Sequence, residues 1–485
     1  MTDLQSTNRV KIGKARESVF GVTPANPVFK TVRQTSSSLA FNPQTSESNE
    51  ISADRQVPDL ILLGIQAGGD VGGEMSFQTM DEDLEEALQG AWANNPVIVV
   101  ASEDTEISDL SATTATVSAG GAAFVAGMLA LLSGFPTAAN NKLAKVSSST
   151  ATSVVFPAST FTAETSPIPV GATIRVVGFQ GVSGDLAAVT AGGNGLSSTL
   201  LDFTTLGLVA GEWIKLSGFT GTPANNDFVR IGGLGTHKLT FDRVPSGWGA
   251  DTATGIVISA YMGDVLVNGT TKRSNSYERQ YLDHSPVTYE YFTGMTLDKF
   301  SIQADAQKVA TYTKSYLGAS GSAVTTRASG ASDIAAPTND VLNTSSNVGR
   351  IGFDGAAISG PNFVTGAKID IANNLRRQIA IGSLGAVGIG NGEFQVTGTL
   401  DTFFGDKSVL DKVLNNTKTS FDIRFAREDG NKETLLFDMP TIKLSSGSPA
   451  VSGKNADVML SAGFQALKDA SLGYTLSISR FWYVG

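Results

Sequence analysis

The chain has 485 residues, 41% of them apolar and 16% charged, with 53 glycines, no cysteine, two histidines and a formal net charge of −10. This length predicts two to four domains, the apolar fraction excludes wholesale disorder, and sparse charge with abundant glycine points to a β-rich chain with many turns. The missing cysteines exclude disulfides, thiolate nucleophiles and cysteine-ligated metal centres, and the acidic balance excludes a surface built to neutralise nucleic-acid phosphates.

Residues 1–35 are polar, lack the apolar core of an export signal, and read as an extended arm. A strand is expected approaching Arg55-Gln56-Val57, then a glycine-rich turn and a second strand over Gly73–Phe77. A short helix follows, with Asp81 as its expected cap. Leu84, Ala87 and Leu88 fall on one face, and Glu82, Asp83, Glu85 and Glu86 lie where the helix dipole favours negative charge. The longest apolar run, Gly120–Phe135, is too short to span a bilayer and suits a buried strand pair.

The chain repeats itself. Arg377-Gln378-Ile379 echoes Arg55-Gln56-Val57, and the strand from Gly398 to Phe403 echoes Gly73–Phe77. An acidic, leucine-bearing helix follows each. Ser420-Phe421-Asp422 then echoes Ser276-Tyr277-Glu278, and the segment from Met439 through Lys443 echoes that from Met295 through Lys299. The Ser-to-Met spacing is the same in both copies, whereas the early and late echoes are displaced by different amounts, which places a large insertion in the first copy. The expected architecture is mainly β: two β-sandwich, barrel-forming units, each with a short α-helix. The first unit is discontinuous (36–105 and 271–318), the second spans 351–485, and a loosely ordered linker at 319–350 joins them. The insert, 106–270, repeats too: Leu132-Ser133-Gly134-Phe135 and Asn140-Asn141 recur as Leu216-Ser217-Gly218-Phe219 and Asn225-Asn226. It reads as two small β modules, about 106–184 and 185–270.

Catalytic patterns find no support. His237 and His284 stand apart beside turn residues, which favours strand-end histidines over metal ligands or bases. The acids at 81–86 lack a calcium-loop pattern, and Gly388–Gly392 precedes a strand rather than the helix that a phosphate cradle requires. Trp213 and Trp248 suit a core better than a carbohydrate platform. No catalytic, metal or cofactor residue is nominated, and the protein is expected not to be an enzyme.

The segments ESVFGVTP (Glu17–Pro24), SNEISADRQ, GGDVGGEMSF and the following D-x-x-L-x-x-A-L helix resemble the major tail tube proteins of long, non-contractile-tailed bacteriophages, which are related to the inner tubes of contractile tails and type VI secretion. The resemblance covers both large copies. It implies a ring of six tube domains whose inner sheets join into one barrel, so a chain with two domains closes the ring as three copies with pseudo-sixfold symmetry. It also implies head-to-tail stacking into a tube that surrounds a tape-measure protein and conducts DNA without tight binding, capped by tail-tip and terminator proteins, in a virion tail assembled in the host cytoplasm. The repeat residues Arg55, Gly73, Asp83, Leu84, Met295, Lys299, Arg377, Gly398, Met439 and Lys443 become assembly candidates, and Glu74 and Asp401 candidates for the lumen. The competing reading is a receptor- or glycan-binding tail protein with the insert as its head. Weak glycan binding by the insert is compatible with either.

Overall fold

The computed structural model describes residues 4–51, 53–93, 98–100, 106–353, 355–358 and 360–485. Residues 94–97 and 101–105, where the expected boundary between the first unit and the insert falls, lie outside them. Outside the insert, the principal strands are β1 (Val10–Arg16), β2 (Ala40–Glu47), β3 (Leu60–Glu74), β4 (Asn275–Tyr281), β5 (Thr288–Asp305), β6 (Thr311–Leu317), β7 (Val348–Phe353), β8 (Val364–Ala372), β9 (Gln395–Phe403), β10 (Lys418–Ala426), β11 (Thr434–Ser446) and β12 (Met459–Ala466). The helices are α1 (Asp81–Leu88) and α2 (Ser408–Leu414).

The two halves share one strand order. The first runs β1-β4-β5-β6-β3 and the second β7-β10-β11-β12-β9, with every neighbouring pair antiparallel; β8 continues the second half beyond β9, Ser36 and Ser37 hold the matching place beside β3, and β2 pairs with the earlier part of β3. β5 and β11 are the long strands of each half. The first part of each pairs with β4 or β10, and after a bulge the second part pairs with β6 or β12. One strand thereby passes from an outer sheet to an inner sheet, and the core lies between the two. Met295 and Met439 sit at this passage, both fully buried. Alternation sets the faces: β9 buries Val396, Leu400 and Thr402 and turns Thr397, Thr399 and Asp401 the other way.

The Ser-Tyr-Glu and Ser-Phe-Asp echoes are strands β4 and β10, and each places a buried carboxylate opposite a glycine, Glu278 against Gly13 and Asp422 against Gly352. Each carboxylate is paired to an arginine, Arg327 at 2.8 Å and Arg350 at 2.7 Å.

Several expectations are corrected. The N-terminal segment is not an arm: β1 pairs with β4 along its whole length, because Ile12 buries in the main core on one face and Ala15 against Phe29 and Tyr291 on the other, and Val28–Thr31 pairs back onto it. Glu17 locks the turn that follows β1, accepting from Gly21 N, Ser274 Oγ, Ser276 Oγ and Gly294 N at 2.7–2.9 Å. The 319–350 segment is not loose, since Ser320–Val324 pairs with β5 and Ser332–Ile334 with Val28–Lys30. Asp81 does not cap α1. It is the first helical residue, and its carboxylate meets Arg480 at 2.6 Å.

The insert holds a separate five-stranded sheet between Ile107 and Thr165 and a larger sheet in which two triplets mirror each other: Leu143–Lys145, Met128–Ser133 and Thr173–Gln180 face Phe228–Leu234, Trp213–Ser217 and Ser259–Met262, joined where Thr173–Gln180 pairs with Ser259–Met262. The repeated Asn-Asn pairs do the same work in each. Asn141 and Asn226 hydrogen-bond both main-chain groups of Phe135 and Phe219, while Asn140 and Asn225 are fully buried and tie down a later loop. The insert docks on the second half through Leu129, Trp213, Phe228 and Tyr261 against Leu436, Phe481 and Val484. Trp213 Nε1 donates to Asp438 at 3.0 Å, so this tryptophan is an interface core residue rather than a platform. Trp248 packs edge-on against Phe241.

Candidate functional site

The feature that governs function is how the two inner sheets meet. Lys299–Asp305 of β5 pairs with Gly366–Ala372 of β8 over seven consecutive residues, so the inner sheets of the two halves are one sheet. The same pseudo-symmetry leaves two ends open. The segment 32–38, which stands to β3 as β8 stands to β9, pairs with β3 at Ser36 and Ser37 and has no second strand beside it among the described residues; Lys443 is still paired to Lys418 of β10, but the end of β11 from Leu444, the counterpart of β5 from Phe300, has among the described residues no strand in the place β8 holds. A long sheet with open edges on both sides is a template for further pairing.

The face of this sheet turned away from the core is polar. Directly paired residues share a face, so Asp70, Glu74, Thr311, Thr313, Ser315, Lys299, Ser301, Gln303, Asp305, Lys368, Asp370, Thr397, Thr399, Asp401, Ser461, Gln465 and Lys443 lie together. Ser301 donates to Asp370 at 2.5 Å and Lys368 pairs with Asp370 at 2.8 Å. Glu74 and Asp401 both belong to this face, as do the repeated lysines Lys299 and Lys443. Gly73 and Gly398 face the core instead. A side chain at Gly73 would meet the Tyr312 hydroxyl and one at Gly398 the Phe464 ring, which is why neither strand tolerates bulk there. The two glycines are two residues out of structural register: Gly398 opposes Phe464, the counterpart of Lys314, and Lys314 opposes Val71.

Leu84 anchors α1 in the core, but Asp83 does something the helix-dipole argument missed. It is buried and held between Lys14 at 2.7 Å and Lys314 at 2.9 Å, with Glu86 taking Lys14 at 3.2 Å and Arg16 at 3.3 Å. Burial opposes ionisation of Asp83, yet the two ammonium groups outweigh it and hold the carboxyl at about 2. The same contest leaves Lys14 well above its usual value. The corresponding positions in the second half are Phe353 and Phe464, an apolar solution to the same space. The partners of Asp83 come from β1 and β6, far away in sequence, so no local pattern revealed them.

The Arg55 and Arg377 echo does not carry a shared role. Arg55 lies with positive φ in the loop of the β2–β3 hairpin, whereas Arg377 lies on the short strand Arg376–Gln378 and donates to Ala67 O at 2.6 Å. Both hairpins, however, project from the same region, joined by Ile65 N to Leu384 O. They expose Ile51, Val57, Leu60, Ile61, Leu62 and Leu63 in one and Ile379, Ile381, Leu384 and Val387 in the other, a grouping of exposed apolar side chains of the kind that marks an interaction surface.

Among the described residues no cluster of metal-ligating side chains occurs, and no helix is long and apolar enough to cross a membrane. A duplicated β-sandwich with an extended open-edged sheet, one polar face and exposed apolar hairpins defines a self-assembling structural protein. Residues 7–466 match the phage tail tube protein family, and the chain belongs to that family. It is thus a structural component of the virion tail, not an enzyme, and assembles into a tube. No curated protein matches the sequence.

Proposed function

We propose that three chains close one ring of the tail tube by repeating between chains the junction that joins the two halves within one. The observation that carries this reading is the seven-residue pairing of β5 with β8, in which the inner sheet of one half continues into that of the other. By the same geometry, Leu444 and the residues after it in one chain run antiparallel to residues 32–38 of the next. Six units then come from three chains, and the polar face lines the bore. Rings stack head-to-tail through the apolar hairpin tips around 48–63 and 379–387. The bore encloses the tape-measure protein and passes DNA at ejection, its carboxylates at Asp70, Glu74, Asp305, Asp370 and Asp401 disfavouring phosphate adhesion. Tail-tip and terminator proteins bound the stack, which assembles in the host cytoplasm. The insert decorates the outside of every second unit.

Electron microscopy of the purified chain, with mass per ring measured on the assemblies, tests this. Hollow tubes with three chains per ring are expected. Six chains per ring would refute closure through the internal duplication, and a chain that never stacks would favour the receptor-binding alternative. Glycan binding by the insert is separable and is tested on a glycan array with intact tubes.

A further inference from the structure

Closing the ring brings together two features that the bare edge pairing does not explain. The first is a cavity of about 330 Å³ beside the open edge, walled by Thr31, Val32 and Arg33, by Lys14, Asp83 and Lys314 below, and by Ile334-Ala335-Ala336-Pro337. The second is the β11–β12 hairpin at the opposite end of the chain. Its tip, residues 451–457, is exposed throughout, and Val451 is 82% exposed.

The junction inside the chain shows what belongs in such a corner. There the space beside Val364, Thr365 and Gly366 is walled on its far side by the β5–β6 turn, residues 304–307, and shrinks to about 220 Å³. Ala306 N donates to Thr365 O at 2.8 Å, seating that turn against β8. The β5–β6 turn is the counterpart of the β11–β12 hairpin, and Val364–Gly366 is the counterpart of the segment near Val32. The corner at the open edge therefore lacks the wall that the preceding unit supplies, and among the described residues none of its own chain's second half lines it. The β11–β12 connection is also longer, extending beyond the Pro449–Leu460 pair, whereas β5 and β6 are joined by 306–310. The larger cavity and the longer hairpin match.

We infer that the β11–β12 hairpin tip of one chain seats in this cavity of the next, with Val451 against the apolar rim formed by Val32, Ile334 and Ala335. The occupant is a second copy of this chain, and the inference rests on the tube reading above. It assigns the open edge a specific plug in addition to its strand partner. The plug also covers the buried Lys14–Asp83–Lys314 cluster from solvent.

The chain has no cysteine, which makes paired substitution clean. In tubes of a Val451→Cys, Ile334→Cys double variant, a short bis-maleimide is expected to link chains up to a closed covalent trimer, with neither single variant linking. Products from Val451→Cys with Ile381→Cys instead would place the tip on the next ring and overturn the inference. Hydrogen exchange on the unsubstituted chain provides a second reading free of variants. Amides at 32–38 and at 451–458 are both expected to slow at least tenfold on assembly. Slowing at 32–38 alone would leave the ring intact and overturn the seated hairpin, whereas slowing at neither, or absence of tubes, would overturn the reading beneath it.

Discussion

At the scale of single residues, the most informative group is the one that the two halves treat differently. Lys14, Asp83 and Lys314 form a buried ionic cluster where the second half places Phe353 and Phe464. Removing one partner of a buried pair leaves an uncompensated charge, whereas replacing all partners by apolar groups of similar volume is often neutral or better. Lys314→Met alone is therefore expected to cost about 3 kcal/mol in chemical denaturation. The triple replacement Lys14→Met, Asp83→Leu, Lys314→Met, which leaves buried Glu86 its remaining partner Arg16 at 3.3 Å, is expected to recover most of that loss. The same cluster fixes an acid limb. The Asp83 carboxyl is lowered from 3.8 to about 2, so its contribution is present above pH 4 and disappears as pH falls through 2. The triple variant should lose that limb, and a full-strength limb in its place would show that other carboxylates carry it.

At the scale of elements, the periodic and repeated segments were legible and the long-range ones were not. The helix face of Leu84, Ala87 and Leu88, the paired strands around Met295 and Met439, and the doubled Asn-Asn loops all follow from local pattern, and each is buried as that pattern requires. The N-terminal strand is hidden because KIGKAR looks polar: Lys14 is neutralised by acids that lie on a helix about 70 residues away, and Glu17 is satisfied by the main-chain N–H of Gly21 and Gly294 and the hydroxyls of Ser274 and Ser276. The linker was misjudged for the same reason, since Arg327 is ordered by Glu278 and Asp333 rather than by its own neighbours. The hairpins were read as arginine motifs, but their exposed apolar side chains are the unusual feature. Ile381→Asp with Leu384→Asp removes no buried contact of the sheet, so thermal unfolding of the single chain should change little. Tube lengthening, followed by light scattering and microscopy, should stop at single rings or short stacks. Full-length tubes from this variant would remove the hairpins from the stacking contact.

At the scale of the whole molecule, part of the net negative charge lies on the polar face of the inner sheet. Carboxylates and three lysines share the polar face of the inner sheet, and the lysines Lys299 and Lys443 occupy matching positions in the two halves. With this face lining the bore, as proposed above, the acids are held on sheet strands, where they repel a polyanion without any conformational response. Reversing Asp70, Glu74 and Asp401 to lysine changes side chains that point away from the core, so folding and ring closure should survive. Tubes of that variant should retain DNA at low salt, with an affinity that falls steeply as salt rises, because each phosphate neutralised releases a counterion. Unsubstituted tubes should retain none under the same conditions. If both retain DNA equally, the acids are not what frees the passage, and the polar Ser, Thr and Gln surface must be responsible.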